Sequence, residues 1–533
     1  MINTVLDAFE ITLGKYPDAP AFEDENSVLT FQDLFAGSQV TASALAAALP
    51  PRTPVLVYMP KSPEMIRAFL GVLYAGCYYI PADTDMPAER LAHIIETSRA
   101  EAVIVSHSVS LPTDLFSDRQ IYYAEDLVCG ETEGSVDRDL LMSRRSGLTD
   151  MDPAYAIFTS GSTGMPKGVL IRHASLLKLA QWFVETFGID SSEIIANQNA
   201  FFFDGSVKEI YGTLISGAHM YIVPRKLFSL PARLIEYLNE INATLINWMP
   251  SILCMIVKFR TFRKVRPETV RKVLFAGEVM PVPQFLEWHR TLPEALFANL
   301  YGPTEATVDS TYYIADNAFI EKCEAALAAD PEGASAAEGL SIPIGRPCCN
   351  TDVFLLDDCD KRITKAGEAG EICIRGTCLS PGYLNDPART AEVFVQNPLN
   401  TGYAELIYRT GDYARYNEEG ELVFIGRRDS QIKHMDHRIE LGEIEEALSR
   451  LQGVGRACAV YDARRGRIIA FFEASGDEPD DAGGTDPAEL TAGLSKILPA
   501  YMLPKKLVRL SAIPLTPGGK TDRQALLNMY SDN

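Results

Sequence analysis

Tyr155-Ala-Ile-Phe-Thr-Ser-Gly-Ser-Thr-Gly-Met-Pro-Lys-Gly168 is the stretch on which the reading of this chain turns. An apolar, β-prone run, Tyr155 to Phe158, feeds a hydroxyl- and glycine-rich loop that closes on Lys167. Glycines let backbone N–H groups curl around an anion, hydroxyls add donors, and a lysine adds a cation, which together suit a polyphosphate. Lys167 is followed by Gly168 and not by Ser or Thr, so this is not the usual nucleotide-binding loop. Taken alone, the same residues also suit an ordinary Ser/Gly turn after a strand.

Outward from the loop, strand-like and helix-like segments alternate. Pro54 to Met59 and Glu101 to Ser106 read as buried strands, and Pro63 to Tyr74 and Glu89 to Arg99 have helical apolar spacing. Thr244 to Trp248 and Arg271 to Phe275 repeat the strand theme, each followed closely by a small or turn residue. The pattern predicts an α/β fold of layered parallel sheets, with ligands at the carboxyl ends of the strands. Glu131 to Asp152, Ala325 to Gly339 and Gly476 to Asp486 read as surface loops. From Gly426 the character changes to a charged stretch, Gly426-Arg-Arg-Asp-Ser-Gln-Ile-Lys433, that leads into a smaller unit. A boundary at about Asp429 divides a large N-terminal domain of layered α/β subdomains, 1–428, from a C-terminal domain, 429–533.

The 533 residues exceed one compact core, and 47% hydrophobic with 23% charged content is ordinary for a globular enzyme. A net charge of −22 argues against a nucleic-acid surface and against attraction to anionic membranes. The N-terminus lacks a basic start and apolar core, and no apolar run reaches the ~18 residues of a membrane span. Ten scattered cysteines without a Cys-x-x-Cys pair read as reduced thiols of a cytoplasmic protein, not a zinc site or disulfide framework.

Further segments extend the loop into an ordered series. Asn299-Leu-Tyr-Gly-Pro-Thr-Glu305, Tyr408-Arg-Thr-Gly-Asp412, Gly426-Arg-Arg-Asp429, Arg438-Ile-Glu-Leu-Gly-Glu-Ile-Glu445 and Pro517-Gly-Gly-Lys-Thr-Asp-Arg523 follow it. With Leu29 to Leu34 and Ala75 to Arg90 they cover nearly the whole chain. In order and spacing the series resembles the adenylate-forming enzymes: acyl-CoA synthetases, luciferases and peptide-synthetase adenylation domains. The resemblance implies that a carboxylate and ATP give an acyl-adenylate and pyrophosphate, and that the acyl group then passes to a thiol. It also implies a small, mobile α+β C-terminal domain that turns about the hinge residue Asp429.

Carried over residue by residue, the resemblance gives Thr159, Ser160, Gly161, Ser162, Thr163, Gly164 and Lys167 the β- and γ-phosphates. Glu305 would bind Mg²⁺, a hard ligand for a hard cation, and Thr304 would contact the α-phosphate. Asp412 would accept from the ribose hydroxyls, and Arg427 would reach ribose or phosphate. Tyr301 and Asn299 would serve adenine, and Gly277, Glu278, Gly302 and Phe424 complete the implied ATP site. Lys520 would bridge the substrate carboxylate and the α-phosphate, then leave as the segment around Lys433 faces the incoming thiol. One departure stands out. The family pattern Lys-x-x-Gly-x-Arg reads Lys433-His-Met-Asp436-His-Arg438 here, with a charged side chain where glycine would let a pantetheine arm approach.

Ala200-Phe-Phe-Phe-Asp204-Gly-Ser-Val-Lys208-Glu-Ile resembles the amino-acid-binding segment of peptide-synthetase adenylation domains. There the aspartate pairs with the substrate ammonium; the competing reading makes Asp204 a helix N-cap. The implied pocket is Phe203, Asp204, Gly205, Lys208, Asn247, Leu274, Ala276, Leu300, Val308 and Asp309, a mixed set with two opposite charges. If Lys208 and Asp309 pair, a small or polar substrate fits. If one points away, the other could meet an oppositely charged side chain. The chain is therefore expected to activate an amino acid with ATP and Mg²⁺ and pass it to the phosphopantetheine of a separate carrier protein. The alternative is an acyl- or aryl-CoA ligase using the same chemistry, which Asp204 disfavours. Neither reading calls for nucleic acid or a membrane.

Overall fold

The computed structural model describes residues 2–129, 136–161, 165–329, 340–427, 431–434, 437–463, 465–474, 487–515 and 521–531. Ser162, Thr163, Gly164, Asp429, Asp436 and Lys520 lie outside them, as do 330–339 and the whole of 476–486. Lys433 and Arg438 are described by their backbone alone.

Apolar β-branched runs build the sheets. In the first, Tyr78–Ala82, Pro54–Tyr58, Ala102–Val105 and Gln120–Tyr123 run parallel as neighbours, and Pro153–Thr159 continues the sheet beside Tyr78–Ala82. Lys167–Arg172 lies next to it, edged by the antiparallel Gly382–Tyr383. In the second sheet, Leu296–Tyr301, Lys272–Ala276, Leu245–Asn247, Ile194–Asn197, His219–Ile222 and Pro20–Glu23 form a parallel centre. Antiparallel strands close both of its edges. A third, antiparallel sheet is built around Ala369–Gly376 and Leu406–Tyr416, with Leu422–Arg427 beside the latter. The architecture is α/β, as the alternating pattern predicts.

Helix signals are local. Pro63–Tyr74 starts where Ser62 accepts from the Met65 N–H and Pro63 takes the first turn, where its missing N–H costs nothing. One expectation fails. The polar segment 131–152 holds a helix, Arg138–Ser146. Asp137 caps it by accepting from the Leu140 N–H at 3.0 Å, Leu141 is buried, and Arg144 donates to the carbonyls of Ala46 and Leu49 at 2.8 and 2.6 Å. Polarity there is a helix face with specific partners, not a loop. The start of 325–339 is likewise helical, the end of Asn317–Ala329.

The chain falls into two compact units: one of Met1–Thr84, Arg99–Ile157 and Val169–Arg428, the other of Asp85–Ser98, Phe158–Gly168 and Asp429–Asn533. In the first, one large core joins residues of both parallel sheets. Tyr79 stacks on Phe69 at 4.1 Å and on Tyr155 at 5.6 Å, and the Tyr211 hydroxyl donates to the Tyr79 hydroxyl at 3.0 Å. That contact seats the helix Gly205–Ser216, whose Gly212 faces Phe183 so closely that a Cβ would come within 2.7 Å of the ring. In the second unit, the hairpin Gln431–His434 and His437–Glu440 precedes the helix Leu441–Ser449 and the sheet Val454–Asp462, Arg467–Ala474 and Lys506–Arg509.

His173, buried at the start of the helix His173–Phe187, has no hydrogen-bond partner on either ring nitrogen among the described residues. Burial, reinforced by Arg145, pulls its pKa down to about 4. Between pH 6.5 and about 4 the unfolded chain takes up a proton that the folded imidazole refuses, so stability is lost as pH falls through that window. At 1.36 kcal/mol per pKa unit the loss is roughly 3 kcal/mol. His173→Leu is expected to flatten the fall in melting temperature between pH 7 and pH 5; an unchanged fall would assign the acid sensitivity elsewhere.

Candidate active site

The carboxyl ends of the second sheet's strands meet the N-terminus of the helix Gly205–Ser216, and one buried carboxylate joins them. Glu209 accepts from Asn247 Nδ2 at 2.8 Å, from Asn199 Nδ2 at 3.5 Å and from Asn197 Nδ2. Asn197 and Asn247 end the strands Ile194–Asn197 and Leu245–Asn247. Burial pushes the Glu209 carboxyl up and the half-buried Lys61 down; the amides of Asn197 and Asn247, then the charges of Lys208 and Lys61, oppose that for the acid. Lys61 also donates to the Gln198 carbonyl at 3.1 Å.

Asp204 stands at the N-cap position of the same helix without making a side-chain cap. Its Oδ2 instead accepts from Thr304 Oγ1 at 2.6 Å. One helical turn on, the Lys208 ammonium donates to both oxygens of Asp309, at 2.9 and 3.1 Å. The two side chains are only 1% and 2% exposed. Of the pocket positions, Lys208 and Asp309 are therefore brought together, with Asn247 linked to them through Glu209. Leu274, Leu300 and Val308 are buried in the apolar core beside them.

Asp309 rides on a constrained turn. Thr307 and Val308 both have left-handed backbones, φ 56° and 70°. The Ser310 N–H donates to the Tyr301 carbonyl at 2.7 Å, and Thr307 Oγ1 donates to the Cys378 carbonyl at 2.6 Å. Gly302 makes this possible, since a Cβ there would meet the Val308 carbonyl oxygen at 2.2 Å and Asp309 Cα at 2.8 Å.

Glu305 follows Thr304 in a short 3-10 turn and is fully buried. Its Oε1 accepts from the Tyr383 hydroxyl at 2.8 Å, and its backbone carbonyl accepts from the Ser380 N–H at 2.9 Å. Among the described residues no three His, Cys, Asp or Glu side chains gather as a metal cage. One buried carboxylate suits Mg²⁺, which takes one or two carboxylates and fills the rest of its shell with water and substrate phosphate.

Asp412 and Arg427 face each other across paired strands, with Arg427 Nη1 on Asp412 Oδ1 at 2.6 Å. The Tyr301 hydroxyl donates to Asp412 Oδ2 at 2.5 Å, and the Asp412 N–H donates to Thr410 Oγ1 at 3.0 Å. Burial, then the Asp412 charge, pushes the Tyr301 hydroxyl pKa well up, so it stays a donor. The Tyr301 and Phe424 rings lie 6.2 Å apart, and Asn299 Nδ2 donates to the Pro343 carbonyl at 2.8 Å. Gly277 is left-handed, φ 89°, and Glu278 accepts from the Ser251 N–H at 2.9 Å.

In the second unit, Ser160 and Lys167 of the opening loop are buried, and the Thr159 hydroxyl is buried with no hydrogen-bond partner among the described residues. His93 Nε2 lies 3.0 Å from the Pro166 carbonyl. The Arg90 guanidinium donates to Glu443 Oε1 at 2.6 Å, both groups being buried, and burial raises the Glu443 carboxyl against the pull of Arg90. An orphaned hydroxyl of this kind suits a phosphate oxygen.

Sequence reasoning missed Glu209, Asn197, Asn199, Lys61, Tyr383 and Thr410. Glu209 carried the one available signal, a second charge after Lys208 in a helix otherwise rich in apolar and small residues. Tyr383 carried none, being 78 residues from the glutamate it serves.

Residues 9–384 match the model of the AMP-binding enzyme family, and residues 443–520 match that of the AMP-binding enzyme C-terminal domain. Zwittermicin A synthase ZmaJ of Bacillus cereus is 32% identical over 548 residues, covering 100% of this chain and 96% of that protein. Tyrocidine synthase 1 of Brevibacillus parabrevis is 33% identical over 98% of this chain, which spans 45% of that longer protein. The chain spans still less, 6% and 9%, of two linear gramicidin synthase proteins of the same organism. The structure of holo-PA1221, an NRPS protein containing adenylation and PCP domains, aligns with a TM-score of 0.81 at 26% identity, over 99% of this chain and 84% of that one. Among the described residues no helix is long and apolar enough to cross a membrane.

Gly302→Ala is expected to force the Asp309 turn outward and to cost roughly 1–3 kcal/mol, the usual scale of overpacking. Urea denaturation reads this directly, and an unchanged midpoint would mean that the turn yields freely.

Proposed function

The chain belongs to the AMP-binding enzyme family, and from that premise we propose that it activates an amino acid with ATP and passes it to the phosphopantetheine thiol of a separate carrier protein. The observation that carries this reading is the Asp204 carboxylate, which stands at a helix start, leaves the cap unmade and accepts from Thr304. A partly buried carboxylate of this kind is best satisfied by a cation, and the substrate α-ammonium supplies one.

In the first half-reaction a substrate carboxylate oxygen attacks the α-phosphorus. A C–O–P linkage forms, the bond between the α-phosphorus and its bridging oxygen breaks, and pyrophosphate departs. Thr159, Ser160, Gly161, Ser162, Thr163, Gly164 and Lys167 hold the leaving pyrophosphate, and Thr304 contacts the α-phosphate. Glu305 would hold Mg²⁺, with Tyr383 orienting its carboxylate; bound there, the metal neutralises phosphate charge. Asp412, fixed by Tyr301 and Arg427, accepts from the ribose, and Asn299, Gly302, Phe424, Gly277 and Glu278 frame the base and its surroundings. Lys520 bridges the substrate carboxylate and the α-phosphate.

In the second half-reaction the carrier thiol sulfur attacks the acyl carbon, a thioester forms, AMP leaves and the thiol proton passes to solvent. Domain 429–533 turns about Asp429 between the two steps, withdrawing Lys520 and presenting Lys433. The work belongs in the cytoplasm, where carrier and ATP meet.

ATP–pyrophosphate exchange across amino acids of both chiralities, with fatty and aryl acids as controls, tests the first step. Amino-acid-dependent exchange is expected, and its absence with every amino acid would refute the reading. Lys520→Ala is expected to suppress adenylate formation by far more than thiolation of supplied adenylate. Equal losses in both would remove the rotation from the mechanism.

A further inference from the structure

The Lys208–Asp309 pair names a class of side chain. A lysine ammonium has three N–H donors and no acceptor. Lys208 directs donors to the two Asp309 oxygens and, among the described residues, finds no other acceptor. At 1% exposure, water cannot readily serve the N–H that remains. An unmet buried donor on a charged group costs more than on a neutral one, so this position is built to be completed by an acceptor that arrives with the ligand.

The surroundings narrow that acceptor. Lys208 lies one helical turn from Asp204, and residues four apart share a helix face. A substrate whose α-ammonium rests on Asp204 therefore extends its side chain along the face that carries Lys208. Lys208 and Asp309 cancel in charge. A cationic side chain would have to displace Lys208 from Asp309, and an apolar one would leave the remaining Lys208 N–H unmet. Each Asp309 oxygen retains a lone pair beyond the one given to Lys208. Asn247 gives one N–H of its amide to Glu209, and its Oδ1 is a further acceptor.

We propose that this site selects an amino acid whose side chain ends in a carbonyl oxygen, carboxamide or carboxylate, seated on the Lys208 ammonium. The carboxamide is the better fit: its oxygen accepts from Lys208 while its N–H₂ donates to Asp309 or to Asn247 Oδ1. A carboxylate meets Lys208 equally well but is repelled by Asp309. This inference rests on reading the pocket as the amino-acid site.

The test is pyrophosphate exchange by the intact protein with glutamine, asparagine, glutamate, aspartate, leucine, methionine, lysine and ornithine. By kcat/KM, the best carbonyl-bearing substrate should exceed leucine, methionine, lysine and ornithine by roughly 100-fold or more, since a site built around hydrogen bonds strongly rejects analogues that lack them. The amide-to-acid ratio reports how far Asp309 opposes a second carboxylate, and Asp309→Asn should shift it towards the acid. Lys208→Met should reduce the preference over methionine to less than about tenfold. If that variant does not fold, the wild-type ratios alone decide. Leucine, methionine, lysine or ornithine matching the carbonyl-bearing set would overturn the inference while leaving amino-acid activation intact. Absence of exchange with every amino acid would overturn both.

Discussion

A single buried carboxylate governs the geometry of the candidate site. Glu209 collects amide N–H groups from Asn197, Asn199 and Asn247, so two strand ends and the loop after one of them are tied to one helix. Hydrogen bonds to a charged group are worth about 1.5–3 kcal/mol each, and here they oppose the burial that pushes this carboxyl up. The placements on and beside that helix follow from this knot. Asp204 lies before Glu209 on the same helix, Lys208 lies next to it, and Asn247 is held by it directly.

The helix that carries these groups is braced from behind by apolar contacts. Tyr211 reaches Tyr79, which stacks between Phe69 and Tyr155, and Gly212 admits Phe183 against the helix backbone. Rigidity of this kind matters because a buried ion pair rewards only good geometry. Asp309 receives its geometry from the opposite side, through two left-handed residues packed onto Gly302. The pair thus closes between two elements that are each independently fixed, a helix and a turn.

Much of this was legible in the amino-acid order, and the remainder shows where such reading stops. Pro63–Tyr74 is bounded by its own cap, proline and apolar spacing, all local signals, and Pro54–Tyr58 is a continuous β-prone run. The helix Arg138–Ser146 escaped notice because most of its side chains are polar, and what holds it lies about 95 residues away at Ala46 and Leu49. In the site, Asp204, Lys208 and Asp309 were visible as residue types in a motif, yet whether the two charges meet depends on a separation of 101 residues. Tyr383 was invisible for the same reason, since its role belongs to a tertiary contact with Glu305, 78 residues away. Thr410 is a local partner, two residues before Asp412 in the same motif, and only its hydrogen bond to the Asp412 N–H reveals its role.

The thiols beside Asp309 have a chemical consequence of their own. Cys348 and Cys378 border the same small cavity as Asp309. Burial, then the Asp309 charge, raises the Cys348 thiol far above its ordinary range, and burial lifts Cys378 to about 11. A thiol attacks acyl groups as the thiolate, and these two are held as thiols at neutral pH. A protein that keeps an activated acyl group close to its own cysteines risks acylating itself. On the proposed reading, the burial that raises both thiols beside Asp309 also keeps them from competing for an activated acyl group.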